Sequence, residues 1–450
     1  MRSRTRKSGA LLALTLTALA IPAAAIPAAA QIVPPSKNDG QTSYYAYNQN
    51  LSISDAMNAF NGGDMRAAFN DFSQLAANGD AKAQFYLAYM LDHGLYGAPN
   101  IYAAYSWYQK SAEQDYLPAM TYMGYLNSVG HGTPRDEKTA AQWYTKAAQM
   151  GSADAQEALG TMLRDGVGYA QNYELATQWF QQAAMQDNAR AQADLAQMYL
   201  AGHGVQKNTA AALYWYKYAA RQNDVYALTA LGYMYANGIG VQKDLARALS
   251  YYHAAAERGH IPAELKLAHM YARGEGDPAK NAADAALWYF KAARQGSAEA
   301  RVRLASYYEH GYGLPQDASA AIKWYQKAMD ENHYMPALMA LARIYLQGKI
   351  VPQNLQESVR LYTACAAAGM PECQFQLGFF YKNGQGVNKD LVQAYMWLDL
   401  AAQGLPDGKQ KSAAVVARIE TANAMSQSQL DQARQDASSW QASGPNAINW

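Results

Sequence analysis

Residues 224–259 read DVYALTALGYMYANGIGVQKDLARALSYYHAAAERG. Within this stretch Ala227, Leu231, Met234 and Tyr235 fall at i, i+4, i+7 and i+8, one face of a helix. Gly238 and Gly240 follow, supplying the positive φ that a helix C-terminus and a tight turn require. Asp244 opens a second helix as an N-cap, and Ala248, Tyr252, Ala255 and Ala256 form its apolar face. Gly259 closes the unit.

The unit recurs along the chain. An aromatic pair marks it at Trp107-Tyr108, Trp143-Tyr144, Trp179-Phe180, Trp215-Tyr216, Tyr251-Tyr252, Trp288-Tyr289, Trp324-Tyr325, Leu361-Tyr362 and Trp397-Leu398, in steps of 36 or 37 residues. Seven residues before each pair stands Asp or Asn: Asn100, Asp136, Asn172, Asn208, Asp244, Asn281, Asp317, Asn354 and Asp390, with Asp64 in the same place before Asp71-Phe72. A short polar acceptor there satisfies orphan amide donors and contributes about 1 kcal/mol per cap. A fixed period of this size predicts stacked helical hairpins, each hiding its apolar side only against its neighbours. The two longer steps place one extra residue in a turn near Asp277-Pro278 and another in a turn near Asn332-His333.

The pattern Ala-x-x-x-Leu-Gly-x-x-Tyr-x-x-Gly-x-Gly-Val, then Asp, then Trp-Tyr-x-x-Ala-Ala, resembles the Sel1-like repeat, a relative of tetratricopeptide repeats. The resemblance covers roughly residues 80–403, and residues 407–440 resemble the helical tail that often closes such arrays. It implies an all-α fold: a right-handed α/α superhelical solenoid of about nine to ten repeats whose first (A) helices line a concave groove. It also implies a scaffold or adaptor role, often in bacterial envelopes or at host contacts. The expected organisation is a signal peptide at 1–30, a leader at 31–50, an atypical capping repeat at 51–79, nine repeats at 80–405, and a helical cap and tail at 406–450.

The first residues support export. Arg2, Arg4, Arg6 and Lys7 precede the apolar run from Ala10 to Ile21, and Ala28-Ala29-Ala30 follow, so cleavage is expected after Ala30. Removing those four cations takes the formal charge from +1 to −3, which gives no footing for a nucleic-acid partner. No later stretch is long and apolar enough to span a bilayer. The expected location is therefore periplasmic or secreted.

Cys365 and Cys373 are the chain's two cysteines. Each stands in a column filled elsewhere by Ala, one late in a second (B) helix and one early in the next A helix. The columns should face each other, and exported chains keep disulfides. A bridge is expected, similar to those of cysteine-rich members of the family, with two buried thiols as the alternative.

Positions that vary between repeats mark the surface. On the A helix these lie one before, two after and six after the Leu column, a single helical face. Early repeats place Tyr86, Tyr89, His93, Tyr122 and Tyr125 there, the fifth repeat Tyr233, and later repeats Lys266, His269, Arg273, Arg303, His310 and Arg343. The expected groove is aromatic at one end and basic at the other. It would stack rings or apolar side chains and pair an anionic group of a protein, peptidoglycan or exopolysaccharide partner. No catalytic, metal or cofactor constellation stands out: H-E-x-x-H, G-x-S-x-G and S-x-x-K are all missing from the sequence. The expected function is a non-enzymatic envelope scaffold. The alternatives are a β-lactam-active enzyme, which the cysteine-rich relatives suggest, and a secreted factor that binds a host protein.

Overall fold

A computed structural model describes residues 51–277 and 281–442. The expected signal peptide and leader, the insertion at Pro278 and the last eight residues lie outside the described residues. The chain divides into two compact units, residues 1–224 and 225–450. The first contains α1 Ile53–Asn61, α2 Met65–Ala77, α3 Ala81–His93, α4 Ile101–Glu113, α5 Leu117–Val129, α6 Glu137–Gln149, α7 Ala153–Asp165, α8 Tyr173–Met185, α9 Ala189–Ala201 and α10 Thr209–Arg221. The second contains α11 Val225–Asn237, α12 Leu245–Ala256, α13 Ile261–Ala272, α14 Ala282–Arg294, α15 Ala298–His310, α16 Ala318–Asn332, α17 Met335–Gln347, α18 Leu355–Ala367, α19 Pro371–Asn383, α20 Leu391–Gly404, α21 Lys409–Asn423 and α22 Gln427–Ser439. Among the described residues there is no strand. The fold is an all-α helical repeat.

Within the first unit each helix packs on its successor; in the second the same holds as far as α20, against which both α21 and α22 lie. Every B helix from α2 to α20 is capped as the period requires, from Asp64 accepting Ala67 N to Asp390 accepting Gln393 N. Most A helices of the repeats end on a left-handed glycine, as at Gly238, φ +70°; α13 ends on the right-handed Arg273, with the left-handed Gly274 next to it.

The core follows the columns. The second residue of each pair is buried, and the Tyr144, Phe180 and Tyr252 rings lie close against the A-helix glycines Gly124, Gly160 and Gly232 of the same repeats. Gly124 makes this approach possible, since a Cβ there would stand 2.6 Å from the Tyr144 ring. Repeats are also joined by polar contacts. Buried Gln84, Gln156, Gln192 and Gln374 each donate to a carbonyl eight residues earlier, at the end of the preceding B helix. They thereby satisfy acceptors that a helix end leaves open.

One extra residue is accommodated differently from the sequence expectation. Near Asn332 it lengthens α16 to 15 residues, where α14 has 13, instead of widening the turn. At the C-terminal end Trp440 packs edge-on against Trp397 with centroids 5.8 Å apart, covering a ring that no further repeat would hide.

Candidate functional site: a tyrosine-walled cleft

In the first unit the A-helix face opens into a cleft of about 400 Å³. α3 contributes Phe85, Tyr86, Tyr89 and His93; α5 and its N-cap contribute Tyr116, Thr121 and Tyr122; Ser152 and Asp154 enter from the start of α7. Aromatic spacing at three and four residues brings these rings to one face of α3 and α5.

Each ring is held. Tyr86 stacks on Phe72 with centroids 5.4 Å apart and meets Phe60 edge-on at 5.7 Å. These contacts make it nearly buried, 9% exposed, so it forms the floor of the cleft and not a free surface. Tyr89 is half-buried and stacks on His93 at 4.0 Å. Phe85 sits edge-on to Tyr116 at 5.6 Å and to Tyr122 at 6.3 Å. Tyr122 donates its hydroxyl to Asp92 Oδ2 at 3.2 Å, and His131 Nε2 lies 2.6 Å from the other oxygen of Asp92. Tyr125 borders the cleft on α5, its ring 5.6 Å from that of Tyr122.

The polar groups are few. Thr121 Oγ1 and Ser152 Oγ are 3.0 Å apart. Asp154 accepts from Asn188 Nδ2 at 2.9 Å. Burial raises the Asp154 carboxyl above its usual range, with the Asn188 bond opposing it. Burial also raises the Tyr86 and Tyr122 phenols, and takes Tyr116 to about 12, so all three remain neutral donors near neutral pH.

The cations of the second unit are arranged differently. Lys266, Arg273 and Arg303 are exposed. They act together on His269, whose pKa is lowered first by burial and then by Arg303, Lys266 and Arg273, against the opposing pull of Glu299. His269 Nε2 faces Glu299 Oε1 at 3.5 Å. Arg343 is not part of this group. It donates to Glu309 at 2.6 and 2.8 Å, beside a cleft of about 490 Å³ that His310 and Lys349 also line. Tyr233 lies on α11, 48% exposed. Cys365 and Cys373 are joined by a disulfide, Cα atoms 5.7 Å apart.

Column reading missed Phe85, Tyr116, Ser152 and Asp154. Tyr116 stands at an A-helix N-cap position that is Asp80, Ser152, Asn188 and Ser297 in some repeats and His260, Tyr334 and Met370 in others. Like those three it makes no capping hydrogen bond and is followed within two residues by a proline, so the sequence did not set it apart. Among the described residues no group of three or more His, Cys, Asp or Glu could hold a metal ion, and no helix is long and apolar enough to cross a membrane.

The Sel1 repeat model matches residues 81–116, 117–152, 153–188, 189–224, 225–260, 261–297, 298–333, 336–370 and 371–404. The crystal structure of a Sel1 repeat protein from Oxalobacter formigenes is 30% identical, covers 66% of this chain and 89% of its own, and superposes with a TM-score of 0.52. The protective antigen c5321 of uropathogenic Escherichia coli is 28% identical over 83% of this chain and 94% of its own, with a TM-score of 0.45. No curated protein matches the chain. With nine consecutive matches running from residue 81 to residue 404, the chain belongs to the Sel1 repeat family.

Proposed function

We propose that this protein is an exported, non-enzymatic scaffold that holds a segment of a protein partner on the A-helix face of its first unit, with one side chain of that segment seated in the tyrosine-walled cleft. Sel1 repeat proteins generally mediate protein–protein interaction. The observation that carries the reading for this chain is the cleft: about 400 Å³, walled by rings already fixed by packing, so that binding orders few side chains. Tyr89, Tyr122 and Tyr125 supply contact area on half-buried rings, while Tyr86 supplies the floor. The exposed cations Lys266, Arg273 and Arg303 around His269 offer a separate surface for an anionic group of the partner.

Export rests on the basic-then-apolar opening of the sequence and on the Cys365–Cys373 bond, which suits an oxidising compartment. In this reading residues 1–30 direct export, residues 51–79 cap one end of the repeats, and residues 406–450 form the cap and tail at the other.

The test is photocrosslinking in living cells. A photoreactive residue replaces Tyr125, beside the cleft, and in a control strain replaces Tyr102, 73% exposed on a B helix. A discrete protein adduct at 125 that is weak at 102 and disappears with Tyr89→Ala is the expected result. A glycan adduct would assign the cleft to an envelope polymer instead. Equal, non-discrete labelling at both positions would remove the proposal.

A further inference from the structure

The charge of the cleft narrows what can enter it. Asp154 is its one acidic lining residue, and its neighbours leave it uncompensated. Its hydrogen-bond partner is a neutral amide, Asn188 Nδ2 at 2.9 Å, and among the described residues no cation pairs with it. Two buried carboxylates of this chain are answered by charge, whereas Glu157 and Glu264, like Asp154, have only neutral hydrogen-bond partners, Thr161 and Gln295. Asp194 lies 2.7 Å from Arg164 Nη1 and 3.5 Å from Arg190 Nε, and Glu309 is held by Arg343. Burial accordingly raises the Asp154 carboxyl, the mark of an anion short of solvation and of a counter-ion.

The walls act in the same direction. Tyrosine rings present a negative face to a cation that lies over them. Lys82 Nζ lies 6.0 Å from the Tyr86 centroid. An apolar group filling the cleft would strip water from Asp154 and give nothing in return, which opposes binding. An anion would meet Asp154 with like charge. A sugar hydroxyl could accept the geometry but would supply only a neutral bond to a carboxylate that lacks a charge.

We propose that the cleft takes a lysine or arginine side chain of the bound segment, its charged head paired with Asp154 and its stem lying among Tyr86, Tyr89 and Tyr122. This deepens the scaffold reading above and rests on it. The partner is then a protein with a basic residue at the contact point.

Panning a random dodecapeptide library displayed on phage against the full-length exported protein tests it, with the best binder resynthesised and titrated calorimetrically. The expected result is a consensus with one fixed Lys or Arg. Replacing that residue by norleucine, or Asp154 by Asn, should each weaken binding about tenfold, and the two together should weaken it little more than either alone. Asp154→Asn keeps an oxygen for Asn188, and unchanged circular dichroism would show that the fold is intact. Peptides that need Tyr89 but carry an apolar consensus, indifferent to Asp154→Asn, would overturn the cation while sparing the cleft as a protein site. Peptides indifferent to Tyr89→Ala, or no enrichment at all, would overturn both. Binding of a neutral oligosaccharide that is lost with Tyr89→Ala would reassign the cleft to glycan.

Discussion

Arg343 on α17 reaches back to α15 and donates twice from Nη2 to Glu309, at 2.6 and 2.8 Å, while Tyr325 donates to the same carboxylate at 2.8 Å. Glu309 is buried, its side chain 6% exposed, so the arginine that varies on an otherwise surface column has a structural task. Removing it leaves a desolvated carboxylate with one phenol and the more distant His310 Nε2, 3.8 Å away. Arg343→Ala should therefore lower stability by about 2 kcal/mol, less than a fully buried pair would lose because Arg343 is itself 37% exposed. The exposed neighbour Lys349 should be replaceable by Ala at no measurable cost. Urea midpoints of the two variants check this, and equal midpoints would show that the ion pair contributes nothing.

The contrast between Arg343 and Arg303 shows where periodicity informs and where it stops. The period located every B-helix cap, because the cap repeats in each unit and compares like with like. It also contained the inter-repeat turns. Asp115, Asp187, Asn223 and His333 take positive φ where other units place Gly79, Gly151 or Gly259, and Asp, Asn and His are residue types that tolerate it. What the period could not give is contact between unlike columns of different repeats. Asp154 and Tyr122, 32 positions apart, line one cleft because α7 begins beside α5. Tyr86 sinks into the core because Phe60 and Phe72 of the non-repeating N-terminal pair cover it, whereas Lys266 in the same column of a later unit is exposed.

The Gly124 position makes a sharp test of packing against propensity. In an isolated helix Gly→Ala gains about 1 kcal/mol. In this fold the added Cβ would stand 2.6–2.8 Å from three atoms of the Tyr144 ring, whose own side chain is nearly fully buried. The ring or the helix must move, and overpacking of this kind costs about 1–3 kcal/mol. Gly124→Ala should be net destabilising, while Gly124→Ala combined with Tyr144→Leu should recover much of the loss. A thermal melt of both variants decides it, and a stabilised single variant would contradict the packing described.

The Cys365–Cys373 disulfide closes a short loop, eight residues along the chain. Loop-closure entropy assigns such a cross-link about 2–3 kcal/mol. Reduction, or Cys365→Ala with Cys373→Ala, should lower the unfolding free energy of the second unit by that amount, read as a lower urea midpoint, and leave the first unit unaffected. The double Ala variant restores the residue found in these columns elsewhere, at Ala255 and Ala263 for example, so it should still fold. Hydrogen exchange resolved by helix reads the difference: faster exchange confined to helices of the second unit is expected, and uniform acceleration in both units would show that the bond constrains more than its own neighbourhood.

Glu157 makes the stability of the first unit depend on pH. It is buried on α7, accepts Thr161 Oγ1 at 3.1 Å, and has its pKa carried from 4.5 to about 8, first by burial and then by the Asp194 carboxylate, against the opposing pull of Arg190 and Arg164. The folded chain therefore holds a proton between those values that the unfolded chain has already released. Stability from this group is complete below about pH 4.5, falls as pH rises toward 8, and is flat beyond. Glu157→Gln keeps the bond to Thr161 through an amide oxygen and removes the titration. Relative to the native chain it should be nearly neutral at pH 5 and stabilising by about 1–3 kcal/mol at pH 8. Only the difference between the two proteins matters, since the other ionising groups contribute to both curves alike. If their urea midpoints fell in parallel from pH 5 to 8, Glu157 would have to be ionised in the native core, with Arg164 and Arg190 shared between it and Asp194.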